Sequence, residues 1–145
     1  SLVFTHPASD YMMDHEMVHL LARAAAFIYP APNVSSSPVG EGAAVPHLYY
    51  CDPVEGRGVE GNVVEASTCI DISGQMDRKK EMLACHVSQR EWLRAHHGMD
   101  EYIESMCRLA AMRGAERECR FAEAFVQHRG HAFPQDDLLA RLLGD

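Results

Sequence analysis

A chain of 145 residues, 47% hydrophobic and 23% charged, suits one ordinary domain with enough apolar material to bury a core. Its net charge of -8 opposes a polyphosphate partner, and Arg78-Lys79-Lys80 is its one dense basic cluster, so no nucleic-acid partner is expected. No apolar run reaches the roughly 18 residues of a membrane span, and Ser1 to His6 lacks the features of a signal peptide, so no membrane association is expected and a cytoplasmic location is.

Leu2 to Thr5 is a short apolar strand. It is expected to lie inside a sheet whose other strands come from sequence outside these residues, because an exposed apolar edge invites aggregation. A polar turn from His6 to Asp10 leads to a helix from about Asp14 to Ile28. Met17, Leu21, Ala24, Ala25 and Ile28 recur at the spacing of a buried face, while Glu16, His19 and Arg23 fall elsewhere around the turn. Pro30 and Pro32 stop it. Residues 31–46, rich in Pro, Ser, Gly and Ala, form a long surface loop, a kind of segment that often carries function.

His47 to Cys51 reads as a strand, Glu55 to Gly61 as a glycine-rich turn, and Asn62 to Glu65 and Cys69 to Ile72 as shorter strands. The second half reads as helical. Ser73 is the predicted N-cap of a helix from Gln75 to Ser88. Further helices are expected at Glu91 to His97, at Asp100 to Arg113 after an interruption at Gly98, and at Asp136 to Leu143. Strands alternating with helices favour an α/β layer architecture, with too few strands for a complete sheet. The five cysteines are odd in number and form no Cys-x-x-Cys pair, so they are read as small buried hydrophobes. Trp92, Tyr102 and Phe121 are expected in the core or at a subunit interface, and His96-His97, His128 and His131 on the surface.

Two motifs share one histidine. His15-Glu16-Met17-Val18-His19 matches the H-E-x-x-H pattern, in which imidazoles four apart on a helix share a zinc ion and the glutamate activates water. Ala22 and Ala25 stand where the extended form has a glycine and a third histidine, so a zinc metallopeptidase is the alternative reading rather than the first. The other motif is Asp14-His15, following an apolar strand and opening a helix.

Asp14-His15 resembles the Asp-His pair of the PIG-L/LmbE-like family, the GlcNAc-PI de-N-acetylase family. The likeness continues in Pro46-His47-Leu48-Tyr49-Tyr50-Cys51-Asp52, in Ile70-Asp71-Ile72-Ser73 followed by Lys79 and His86-Val87-Ser88-Gln89, and in Ala122-Glu123-Ala124-Phe125. It implies a three-layer Rossmann-like fold, of which residues 1–145 would be the carboxy-terminal half. The family's His-Pro-Asp-Asp-Glu-like motif, which supplies two more metal ligands and the catalytic carboxylate, has only a partial match in His6-Pro7-Ala8-Ser9-Asp10, and Met12 stands where many relatives have a further histidine. The resemblance implies zinc-dependent hydrolysis of an N-acetyl group on an amino sugar or related small molecule, in a homo-oligomer. His15 would be the zinc ligand and Asp14 the catalytic-site carboxylate that supports it, while His86 and Gln89 would serve packing or buried hydrogen bonds. On that reading the 145 residues alone would be inactive, and the absent ligands together with Met12 leave a non-catalytic remnant or binding module as a further alternative.

Overall fold

His47–Cys51 (β2) is the strand on which the other elements are laid. The computed structural model, which describes residues 1–34, 36, 38–97 and 101–144, pairs it in parallel with Leu2–Thr5 (β1), Leu2 lying opposite His47 and Thr5 opposite Tyr50. On its other side β2 runs antiparallel to Ala122–Gln127 (β4), Tyr49 opposite Gln127. Thr68–Asp71 (β3) completes a sheet in the order β1-β2-β4-β3. Together with the helices Met13–Ile28 (α1), Met76–Ala84 (α2), Val87–His97 (α3), Glu101–Ala115 (α4) and Leu138–Leu143 (α5), this is a mixed α/β fold. No helix among the described residues is long and apolar enough to cross a membrane.

The chain forms two compact units, Ser1–Thr68 with Ala124–Asp145, and Cys69–Glu123. In the first, the pleat of β2 sends Leu48 and Tyr50 to one face and Tyr49 to the other. Leu48 and Tyr50 form a core with Ala26 of α1 and with Phe133. Tyr49, 0% exposed, meets Phe4 on the opposite face at a ring-centroid distance of 5.8 Å. Its hydroxyl donates to Asp137 Oδ1 at 2.9 Å and accepts the Leu139 N–H at 3.0 Å. Asp137 also accepts the Ala140 N–H, which caps α5, and the hydroxyl of buried Thr68. Burial by itself would raise the Asp137 carboxyl, but hydrogen bonds from Ala140, Thr68 and Tyr49 hold it below its ordinary 3.8.

In the second unit Asp71 Oδ1 accepts both the backbone N–H and the hydroxyl of Ser73, closing a turn into a short 3-10 segment, Ser73–Gln75, ahead of α2. Helices α2 and α3 each pack on α4. Gly114 is fixed by close approach: a Cβ there would lie 2.7 Å from the Cys119 carbonyl oxygen and 2.8 Å from the Phe121 nitrogen.

Several expectations need correction. Strand β1 finds a partner, β2, within this chain, and among the described residues it stands at the end of the sheet. The face of α1 that packs on the core carries His19 and Ala26, while the predicted stripe of Met17, Leu21 and Ile28 is exposed. Residues 122–127 form a strand within the half read as helical. The helix predicted from Gln75 to Ser88 breaks after Ala84, its N-cap residue is Gln75, and Ser73 serves the Asp71 turn instead. Asn62 to Glu65 yields a single bridge, Arg57 to Val63, and α5 begins at Leu138 rather than Asp136. Cys51 and Cys85 are exposed, as are His86 and Gln89, and His128 is half-buried; Trp92 and Tyr102 are exposed, which removes the core and leaves the subunit interface of their two expected places. Gly98 and Asp100, at the predicted interruption, lie outside the described residues.

Asp137→Ala is expected to cost about 2 kcal/mol, since it removes a cap and leaves the Tyr49 and Thr68 hydroxyls without their acceptor. The sign with pH follows from the lowered carboxyl: the stabilisation is full above the unfolded value near 3.8 and is lost as pH falls through the lower folded value. Thermal melts of parent and variant should therefore differ at pH 7 and converge in strong acid.

Candidate functional site at the β1–α1 turn

The loop from His6 to Met12 carries the chain from the carboxyl end of β1 into the first turn of α1. No side chain of the N-cap residue Met12 caps this helix. Asp10 does the local work: it is 4% exposed, its Oδ1 accepts the Met12 N–H at 2.9 Å, and its own N–H donates to Glu16 Oε1 at 3.0 Å. These two hydrogen bonds fix the loop and place acidic groups at the positive end of the helix.

Of the two predicted site residues, His15 lies here, beside His6 and Asp10. His15 Nδ1 lies 3.2 Å from the second Asp10 oxygen, without the alignment of a hydrogen bond, so the contact is electrostatic. The His6 ring stacks on that of His15, centroids 4.1 Å apart and planes within 14°. His6 and Asp10, the ends of the partial His-Pro-Ala-Ser-Asp match, thus flank the imidazole singled out by both motifs. The carboxylate beside His15 is Asp10, whereas Asp14 is exposed on the first helical turn. The signal missed in the sequence was a carboxylate five residues ahead of the histidine, brought back by the loop.

His19 takes a different environment. It is 3% exposed, its ring packs on Tyr50 with centroids 4.4 Å apart, and its Nδ1 is 3.3 Å from the His6 carbonyl. Burial pushes this imidazole below 6.5, against the His6 carbonyl, which works to raise it. His128, T-shaped on Phe133 and near Tyr50, is pushed down by burial as well, with Arg23 and His19 adding to the effect. Among the described residues the buried Tyr50 hydroxyl has no hydrogen-bond partner. Among the described residues no three His, Cys, Asp or Glu side chains are grouped to hold one metal ion.

Two other places gather polar groups. A cleft of about 540 Å³ is bordered by the loop at Gly40 to Val45, by His47 and by Asp136, and His47 Nε2 is 2.8 Å from Asp136 Oδ1. In the second unit a cavity of about 600 Å³ is lined by Ile72, Met82, Leu83 and His86, with Lys79 donating to Glu123 across it at 2.5 Å. Lys79, His86 and Glu123 all come from the segments that carried the family resemblance.

The chain therefore has the frame of an α/β protein with a polar turn at a strand's carboxyl end. No family model matches it, and no curated protein does. Among solved structures it is similar to GalB, the 4-carboxy-2-hydroxymuconate hydratase of Pseudomonas putida KT2440, with a TM-score of 0.64 and 22% identity. The likeness covers 94% of this chain and 55% of the hydratase, so the chain spans little more than half the length of the enzyme whose fold it shares.

The lowered His19 imidazole has a consequence for stability. A histidine kept neutral in the fold but free to protonate when unfolded contributes fully above the unfolded value near 6.5, and its contribution is lost as pH falls from there toward the folded value. His128 acts in the same direction. The melting temperature is expected to drop between pH 7 and pH 5, and His19→Gln should flatten that dependence. A slope unchanged by the substitution would contradict the buried, neutral His19.

Proposed function

We propose that this chain is the carboxy-terminal part of a PIG-L/LmbE-like enzyme of three-layer Rossmann-like fold that hydrolyses an N-acetyl group on an amino sugar or related small molecule, with zinc as its cofactor. The observation that carries the reading is His15 at the first turn of α1, beyond the carboxyl end of β1, with buried Asp10 against Nδ1. Open α/β sheets bind their ligands at that end of their strands.

A catalytic zinc takes three protein ligands, so the described residues fit a contribution to the set and not the whole of it. Zinc would supply Lewis-acid activation of water and of the amide carbonyl. This chain's own residues do the positioning. Asp10 favours a proton on Nδ1 of His15 and so presents Nε2 as the ligating nitrogen, and the stacked His6 ring limits how far the imidazole can rotate. The supporting part that the resemblance gave to Asp14 is assigned here to Asp10. The peptidase alternative is disfavoured, because Glu16 is engaged with the Asp10 N–H and His19 is packed on Tyr50.

The likeness to a hydratase favours a second reading, addition of water to an unsaturated carboxylate. Both reactions need a water activated at one polar turn, and they differ in the substrate presented to it.

The test uses the full-length protein, assayed for zinc content, for release of acetate from N-acetylglucosamine-type substrates, and for hydration of an unsaturated dicarboxylate. His15→Ala should lose zinc and activity, and Asp10→Ala should lower both about 10- to 100-fold. His19→Ala should keep its zinc. Zinc retained in His15→Ala, or lost in His19→Ala, would overturn the assignment, and hydration without acetate release would select the second reading. The 145-residue chain alone is expected to bind zinc weakly.

A further inference from the structure

In a protein of net charge -8, Arg23 has neither an ion pair nor a hydrogen bond among the described residues. Arg78, Arg108, Arg113 and Arg141 each face a carboxylate. The charge of Arg23 acts instead on His128, on Tyr50 and on His19. These groups can all donate, and they lack an acceptor among the described residues. Tyr50 is 6% exposed with its hydroxyl unpaired, and Glu16, the carboxylate that acts on His19, is committed to the Asp10 N–H. Buried polar groups are normally paired, so a set of donors alone is unfinished.

Arg23 and His128 line a cleft of about 400 Å³ together with Ala24, Phe27 and Phe133. Its walls are already in place. The Phe27 and Phe133 rings lie 6.2 Å apart at 30°, and His128 stands edge-on to Phe133 at 4.3 Å. Gly130 is fitted to that imidazole, since a Cβ there would lie 2.7 Å from His128 Nε2. Burial, with Arg23 and His19 adding to it, holds His128 below its ordinary 6.5, so near neutral pH the lining carries one positive charge beside two aromatic faces. A guanidinium fork matches a carboxylate, and aromatic faces take up a flat apolar ring. Arg23 stands eight residues along α1 from His15, about 12 Å by helical rise, which sets the cleft apart from the β1–α1 turn.

We propose that this cleft is a second binding site, for a small aromatic monocarboxylate, with Arg23 holding the carboxylate and Phe27 and Phe133 contacting the ring. The site needs neither zinc nor turnover, so it stands or falls separately from the enzymatic reading.

Benzoate is the probe, and benzamide, of the same shape without the charge, is the control. In full-length protein the side-chain nitrogen resonances of His128 should shift on titration with benzoate, with a dissociation constant of about 1 mM, the scale for a ligand of that size. Benzamide should bind about tenfold more weakly, and Arg23→Gln should weaken benzoate to the level of benzamide. His15→Ala should leave the benzoate titration unchanged. Equal affinity for the two probes, benzoate binding untouched by Arg23→Gln, or no His128 shift at tens of millimolar would overturn the proposal. A shift lost in His15→Ala would place benzoate at the β1–α1 turn and overturn it as well.

Discussion

Strand β2 is buried on both faces, and most of the first unit follows from satisfying that constraint. Leu48 and Tyr49 are adjacent and both 0% exposed, so each face needs its own cover. Ala26 and Phe133 supply it over Leu48 and Tyr50. On the other face the Tyr49 hydroxyl could not be buried alone, and Asp137 and the Leu139 N–H complete its hydrogen bonds while capping the helix that comes with them. The buried middle of one strand thereby fixes two helices at once.

The same constraint positions the candidate site. With Ala26 near the end of α1 held over β2, the helix begins beyond the carboxyl end of β1, and the loop that joins them must turn tightly. Asp10 sits in that turn, buried and committed by hydrogen bonds to Met12 and Glu16, so its remaining oxygen is held at His15. The imidazole is oriented by groups whose own positions are set by backbone hydrogen bonds, which is how a site acquires a fixed geometry before any ligand arrives.

The sequence shows β1, α1 and β2 through short apolar runs and helical spacing, and it marks His15 by two overlapping motifs. It misleads about which side of α1 is covered, because apolar residues lie on both sides and periodicity alone cannot choose between them. Strand β4 was hidden by composition: Ala122-Glu123-Ala124 favours helix by propensity, and pairing with β2 overrides it. In the sequence Asp14 stands out and Asp10 does not, because adjacency to His15 is visible there, whereas a carboxylate returned by a loop is not. The likeness to a hydratase shows the α/β fold and leaves the chemistry to be measured.

Side-chain nitrogen NMR of the histidines during a zinc titration tests the proposal that His15, oriented by Asp10, is the metal-facing group of α1 while His19 is a packing residue. The account expects the Nε2 resonance of His15 to respond to zinc, that of His19 to stay in place, and the His15 response to weaken in Asp10→Ala. Matched movement of His15 and His19, unaffected by the loss of Asp10, would contradict it and return the helix to the H-E-x-x-H reading.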